Sequence, residues 1–449
     1  MSQLTTQRQS LPYDILEQVS SNIGPTLSDD ETNKLFHTVV LRDETDRLHL
    51  LIALIRQPAL GRYIKVLEIK DKLTFEDTEH LVATAYDEFI AAQPNIILPS
   101  KLRRCLSDGL KQGGRATILG LLIAYCPLLE QIDLVIRAYA EDFPWEVLQE
   151  VTEEHKAPEQ SKIRLLSTGH LSRLQELRIA VPHGPKDQRM LKIFLALPNL
   201  TTLVCDLSYD NQQLRTTPEE IGLRSLTLSG PKMDSDALLD LFRLTPQLRF
   251  LQMRLSEFEE CDNPTTLSQV GEALRRHDSG AYLETLVIEF DARLARCISR
   301  QDRIGSLQVL GNLKRLSIGL SELVGRMTLR NPDFNDDDMT SPLMINGELP
   351  HALQCLEIQY DLEAVTDIIK YFHDQVIDMI SDPTRLNLRQ VLLQSDTHGP
   401  TLLSYTRNIE DNGWTVTTYD SSLKLGTVEA LEGCPMTAEG LLSIIHKEP

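Results

Sequence analysis

An acidic run near residue 335 contains the residue types that bind calcium. Asp333, Asn335 and Asp337 have the spacing of the first three ligands of an EF-hand loop, in which oxygen atoms surround the cation. Such a loop needs glycine at its sixth position and a bidentate glutamate at its twelfth, but Asp338 and Met344 occupy these places. The pattern therefore favours a solvated acidic loop, and we predict that it does not ligate a metal.

Three glycines, Gly109, Gly113 and Gly114, approach the pattern of a phosphate-binding loop. Arg115 replaces the lysine of that pattern, Ala116 lacks the hydroxyl that holds magnesium, and the segment follows a helical pattern instead of a strand. The ordinary interpretation is a break between two helices, so we predict no nucleotide cofactor.

Other catalytic patterns are weak. His351 and Cys355 would share a metal only if distant residues joined them, and the sequence contains neither HExxH nor the GxSxG elbow of a serine hydrolase. Spatial pairing of acidic residues is invisible in a sequence, so an acid pair for glycoside chemistry stays an open alternative. We predict that the chain is not an enzyme and has no catalytic or metal-binding residues.

A recurring strand frame dominates the chain instead. In residues 283–288 apolar side chains occupy the first, fourth and sixth positions, and the frame returns at 174–179, 223–228, 248–253, 313–318 and 353–358. Looser copies lie at 64–69, 129–134, 200–205 and 388–393. This is the frame of a leucine-rich repeat. Helical patterns between the copies predict an α/β solenoid, with a curved parallel sheet inside and helices outside.

The spacing of the copies supports repeats. From Leu177, the central apolar residue recurs after 26, 23 and 25 residues, within the range of leucine-rich repeats, and then after 35, 30, 40 and 35. The phrases 126–129, 197–200 and 245–248 place proline between a helix and a strand, because the residue before proline leaves the helical region. The repeats are thus regular in the middle and lengthened toward the C-terminus.

Strand alternation predicts which side chains face the open, concave side of the sheet, because neighbouring residues point to opposite faces. These positions are Glu176, Arg178 and Ala180; Thr202, Val204 and Asp206; Ser225, Thr227 and Ser229; Phe250, Gln252 and Arg254; Thr285, Val287 and Glu289; Arg315, Ser317 and Gly319; Cys355, Glu357 and Gln359.

Solenoids bind extended partners on such strips, and aromatic and arginine side chains dominate interface energies. We predict a protein-binding strip made of Arg178, Asp206, Phe250, Gln252, Arg254, Glu289, Arg315, Glu357 and Gln359, with Phe250 as the anchor. The alternative interpretation is that these are merely solvated strand residues.

The N-terminal region carries a family resemblance. Residues 11–19, Leu-Pro-Tyr-Asp-Ile-Leu-Glu-Gln-Val, resemble the opening of an F-box, and the runs 35–41 and 58–69 are similar to the segment that joins the F-box to the first repeat in fungal F-box proteins with leucine-rich repeats. The resemblance implies that Leu11, Pro12, Ile15, Leu16 and Val19 contact a Skp-type adaptor of a cullin ubiquitin ligase. It also implies that the solenoid recruits a protein substrate for ubiquitylation.

One stretch departs from that family. Residues 20–34 contain the Gly24-Pro25 break and polar residues where an F-box carries further amphipathic helices, so the module is shortened. A scaffold or regulatory leucine-rich-repeat protein unrelated to ubiquitin is therefore the alternative function.

We predict four regions. Residues 1–10 are polar and disordered, 11–60 form the shortened F-box-like helical segment and junction, 61–436 form the solenoid with an acidic loop at 325–350, and 437–449 form a capping tail. A helix is expected near 402–412 and a last strand at 414–419.

Composition narrows the partners and the compartment. A formal charge of −20 disfavours nucleic acid and anionic membranes, since both require clustered cations. Seven cysteines without CxxC spacing predict free thiols in a reducing compartment, and no apolar run is long enough to span a bilayer. Cytoplasmic or nuclear residence follows as an expectation.

Overall fold

The chain divides into two compact units. The computed structural model describes residues 29–70, 78–92, 100–135, 171–180, 190–206, 221–230, 235–255, 265–276, 282–290, 303–324, 345–360, 375–382, 384–395, 401–408 and 414–419. Unit 1 contains the described residues up to 223, and unit 2 contains those from 224 onward.

Unit 1 combines parallel strands with helices. Its described elements are α1 (Asp29–Phe36), β1 (Thr38–Leu41), α2 (Glu44–Arg56), a 3₁₀ helix (Pro58–Arg62), β2 (Val66–Lys70), α3 (Glu79–Ala92), α4 (Ser100–Lys111), α5 (Arg115–Tyr125), β3 (Gln131–Val135), β4 (Glu176–Ala180), α6 (Met190–Leu195) and β5 (Thr202–Asp206). The strands pair in sequence order, with Leu67, Ile132, Leu177 and Leu203 in one register. Helices α2 to α5 pack against one another.

Unit 2 repeats this arrangement and ends differently. Its described elements are β6 (Ser225–Ser229), α7 (Ser235–Leu244), β7 (Phe250–Leu255), α8 (Leu267–Arg276), β8 (Thr285–Phe290), β9 (Arg315–Gly319), α9 (Leu320–Val324), α10 (Ile345–Glu348), β10 (Cys355–Tyr360), helical residues 375–381, β11 (Gln390–Ser395), β12 (Thr401–Arg407) and β13 (Trp414–Tyr419). Strands β6 to β11 are parallel, and β12 and β13 continue the sheet antiparallel.

The apolar frame forms the core, as predicted. All ten sequence segments that carry it contain strands, β2 to β11. Leu283, Leu286 and Ile288, at its first, fourth and sixth positions, are at most 1% exposed. Each such side chain contributes roughly 1.5 to 3 kcal/mol when it is fully buried. The fold is mixed α/β with parallel strands and helices, compatible with an α/β solenoid.

One backbone carbonyl per repeat fixes the register of the next strand. The Lys65 carbonyl accepts hydrogen bonds from the Glu130 and Gln131 amides at 2.7 and 3.0 Å. The Arg249 carbonyl accepts the same pair from Glu284 and Thr285 at 2.8 and 2.9 Å. We call these acceptors the junction carbonyls. Because each junction carbonyl accepts hydrogen bonds from two successive amides, it fixes the residue at which the following strand starts to pair.

The glycines near residue 113 separate two helices, as predicted. Gly113 has φ of +68°, which favours glycine, and the Gly114 amide donates to the Gly109 carbonyl at 2.8 Å before α5 begins. A Cβ atom at Gly109 would lie 2.0 Å from Thr117 Oγ1. The glycines thus end α4 and let it pack closely on α5.

The helix expected near 402–412 is wrong, because residues 401–407 form β12. This strand pairs antiparallel with both β11 and β13. Tyr405 and Ser404 are buried. A short apolar run does not separate helix from strand, and pairing on both sides decides between them here. The strand expected at 414–419 is confirmed as β13.

The parallel ladder starts earlier than the boundary expected at residue 61. Strand β1 pairs with β2, and its Val39 and Leu41 are buried. Helix α1 precedes it within the stretch that the sequence suggested was too polar for a helix, and Phe36 fixes that helix through burial. The burial of Phe36 at the end of this helix therefore stabilises the helix despite the polar residues at its start.

Residues 345–350 were expected to belong to the acidic loop at 325–350, but they contain a short helix and buried side chains. Ile345 and Leu349 are buried around α10, so residues 345–350 pack against unit 2 instead of remaining solvated. Residues 325–344, the F-box-like residues 11–19 and the tail 437–449 lie outside the described residues.

Candidate partner-binding surfaces

A hydrogen-bonded cluster joins β7 and β8 of unit 2. Gln252 Nε2 donates to Glu289 Oε1 at 2.6 Å, and Arg254 Nε donates to Glu289 Oε2 at 2.6 Å. The parallel register places Arg254 opposite Glu289. Both oxygens of this carboxylate are therefore engaged, and the three predicted residues lie together.

A second predicted pair joins β9 and β10. Arg315 Nη2 lies 3.0 Å from Glu357 Oε2. Next to them, the Cys355 thiol donates to Gln390 Oε1 at 3.7 Å, and burial raises the pKa of Cys355. Burial therefore disfavours the thiolate, which is the reactive form of this cysteine.

The centre of the unit 2 strands is less open than predicted. Thr227 and Ser317 are buried, although strand alternation placed them on the open side. Larger side chains on adjacent strands flank them, Gln252 beside Thr227 and Glu357 beside Ser317. Phe250 is half-buried, and Arg254 and Arg315 are exposed. Arg254 and Arg315 are thus the most accessible residues of the predicted strip in unit 2, and its other members, Gln252, Glu289, Glu357 and Gln359, are half-buried like Phe250.

A row of cations that the sequence prediction missed precedes the unit 2 strands. It occupies the second position of the apolar frame, where Arg224, Arg249, Lys314 and Arg389 are all exposed. Glu284 lies in the same row, 3.4 Å from Arg249 Nη1 and 2.8 Å from Lys314 Nζ. The Lys314 hydrogen bond lowers the pKa of Glu284. We call the four cations the basic rim.

Unit 1 carries acidic residues within its strands, at the fifth position of the apolar frame. Glu68, Asp133 and Arg178 are neighbours in the register of β2, β3 and β4. Glu68 is buried and lies 3.3 Å from Lys70 Nζ, while Arg178 Nε lies 2.5 Å from Glu176 Oε1. Burial raises the pKa of Asp133, which Arg178 partly opposes. Sequence reasoning found Arg178 but missed Glu68 and Asp133, which belong to looser copies of the frame.

The remaining predicted strip residues fall on strand ends. Asp206 is the last residue of β5, and its side chain lies outside the description. Gln359 is half-buried on β10, in register with Gly319 of β9 and Gln394 of β11. The strip residues therefore divide between the two units, with most of them in unit 2.

Neither metal-binding nor membrane-spanning features occur in the described part of the chain. Within it, no group of three or more His, Cys, Asp or Glu side chains is placed to hold a metal ion. None of its helices is long and apolar enough to cross a membrane. The polar groups described above are instead arranged in rows across strands.

The geometry defines a mixed α/β protein whose strands present rows of charged and polar side chains. No family model and no curated protein matches the chain.

Proposed function

We propose that this chain is a protein-recognition subunit of a cullin ubiquitin ligase of the leucine-rich-repeat class. In this proposal the face of the unit 2 strands binds a protein substrate. Leu11, Pro12, Ile15, Leu16 and Val19 hold a Skp-type adaptor, and the protein works in the cytoplasm or the nucleus. The adaptor part comes from the sequence resemblance alone.

The observation that carries the recognition role is the surface around Phe250. A half-buried aromatic ring stands on β7, the same strand that presents Gln252 and Arg254 to Glu289 of β8. Aromatic and arginine side chains held in a fixed orientation are the usual anchors of protein interfaces. The hydrogen bonds to Glu289 orient Arg254, so less side-chain entropy is lost when a partner binds.

The alternative, a scaffold protein unrelated to ubiquitin, is favoured by a different observation. Strand β1 begins at Thr38, directly after α1, and the ladder continues from it. An F-box carries further helices after its first one, and the chain between Val19 and Thr38 offers few residues for them. The recognition surface of unit 2 serves either role.

Co-purification of the full chain with a Skp-type adaptor tests the ligase role. We expect the adaptor to be retained by the wild type and by Gln18→Ala, and to be lost from Ile15→Asp, because a charge among the apolar residues predicted to contact the adaptor prevents docking. An adaptor that is absent from the wild type, or retained by Ile15→Asp, would reject the ligase role and leave the scaffold role.

Proximity labelling with matched variants tests the recognition surface. Phe250→Ala should lower the labelling of specific partners at least about tenfold, as expected for removal of an interface anchor. Arg243→Ala, which removes an exposed arginine from helix α7, should leave it unchanged. Equal labelling profiles for both variants would reject the unit 2 face as the binding surface.

A further inference from the structure

We infer that the basic rim of unit 2 binds an acidic, extended protein segment that also carries an apolar side chain. The inference rests on the proposed function in one respect, that the partner is a protein, and it names the chemistry of that partner. The rim lies at the entry to the strands, and Phe250 and Arg315 follow it directly in the chain.

The charge of the rim is incompletely neutralised. Glu284 is the one acidic residue in the row, and Arg249 and Lys314 share its carboxylate. Among the described residues, the Arg224 and Arg389 side chains have neither a hydrogen-bond nor an ion-pair partner. A positive surplus therefore remains on the surface of a chain whose formal charge is −20.

The positions of the cations follow from the junction carbonyls. The carbonyls of Arg224, Arg249 and Lys314 each accept two amides from the next strand, so these residues are held at fixed places along the ladder. With strands about 4.8 Å apart, the row from β6 to β11 spans ~24 Å. An extended peptide of about eight residues has this length and can place carboxylates beside successive cations.

Exposed apolar side chains accompany the rim. Tyr282, Val309 and Leu386 are 60%, 58% and 69% exposed, and they lie in the turns that lead into β8, β9 and β11. Exposed apolar side chains grouped into a patch with a polar border are typical of protein-binding surfaces, and Tyr282 and Val309 precede the adjacent strands β8 and β9. They favour a peptide, and the formal charge of −20 disfavours nucleic acid because it repels the phosphates.

Fluorescence anisotropy with the full-length protein tests the inference. The probe is a labelled peptide of about ten residues with Glu at every third position and one central Phe. Its matched controls are the same peptide with Lys in place of Glu and a single-stranded RNA of similar length. We expect saturable binding of the Glu peptide alone, and weaker binding as salt screens the charges.

A double variant locates the binding. Arg224→Gln with Arg389→Gln should weaken binding of the Glu peptide about three- to tenfold, because two exposed charge contacts are lost. Arg243→Gln with Arg276→Gln removes two exposed arginines from helices α7 and α8 and should have no effect.

Several outcomes would overturn the inference. They are binding of the Lys peptide or of the RNA as tight as that of the Glu peptide, no binding of any probe, or equal losses in the two double variants. Adaptor co-purification does not involve the rim, so failure of the ligase role and failure of this inference are separately visible.

Discussion

The two units share one buried frame but carry opposite charge on their strands. At the described strand positions and the row that precedes them, unit 1 has Glu68, Glu130, Asp133, Glu176 and Asp206 against Lys65, Lys70 and Arg178. Unit 2 has Arg224, Arg249, Arg254, Lys314, Arg315, Arg389 and Arg407 against Glu284, Glu289 and Glu357. The frame thus fixes the backbone and leaves the remaining positions free to differ.

The difference extends to how the carboxylates are satisfied. Both oxygens of Glu289 and of Glu284 meet cations or amide donors within unit 2. In unit 1, burial is the largest influence on Asp133 and raises its pKa. Unit 2 therefore pairs these two acids and retains surplus cations. Unit 1 also pairs Glu68, Glu130 and Glu176 with cations, but it holds one acid, Asp133, that is costly to ionise.

The largest expected effect concerns the buried apolar frame that the two units share. Leu177→Ala in unit 1 and Leu286→Ala in unit 2 should each lower the free energy of unfolding by about 2 to 5 kcal/mol, because both side chains are buried and leave a cavity. Urea denaturation followed by circular dichroism measures this, with exposed Arg178→Ala as a control expected to change little. If only one of the two leucine variants lost stability, the frame would not have the same role in the two units.

A smaller effect should depend on pH. Because burial raises the folded-state pKa of Asp133 above its unfolded value, its contribution to stability is present in acid and is lost as the pH rises through the folded-state pKa. Asp133→Asn should therefore increase the free energy of unfolding at neutral pH but not near pH ~3.

The matched substitution in unit 2 sharpens this contrast. Glu357→Gln removes the partner of Arg315 and should not stabilise the protein at neutral pH. Thermal unfolding of both variants across pH measures the difference. Stabilisation of the same size in both would show that the carboxylates of the two units are equivalent.

The smallest effect concerns the ion pairs themselves. A double-mutant cycle on Arg254 and Glu289 should give a coupling of about 0.2 to 1 kcal/mol that falls with added salt, because Arg254 is exposed. The cycle on Lys70 and Glu68 should retain more of its coupling in salt, because Glu68 is buried. Equal salt dependence would remove this distinction between the units.

The sequence predicted the core well because the frame is a property of neighbouring residues. Apolar side chains at three fixed positions suffice to place β2 to β11 and to bury Leu283, Leu286 and Ile288. The frame does not determine which strands pair with each other or in which direction. Strand β12 was missed because its pairing with β11 and β13 depends on residues distant from its own.

The candidate site was predicted only in part, for a similar reason. Alternation along a strand brought Gln252, Arg254 and Glu289 to the same face, and their hydrogen bonds follow from the register. The burial of Thr227 and Ser317 depends on the size of side chains on adjacent strands. The basic rim becomes visible only when the second position of every repeat is aligned, a signal that the sequence did contain.

The junction carbonyls also determine where this protein tolerates changes of length. A residue added within a strand, after the two amides that such a carbonyl accepts, would move every following side chain of that strand to the opposite face. A residue added after the strand leaves the next junction intact. Repeats of 23 to 40 residues can therefore share one register, and loop grafts intended to alter recognition belong at the strand ends, away from the turns that lead into the strands.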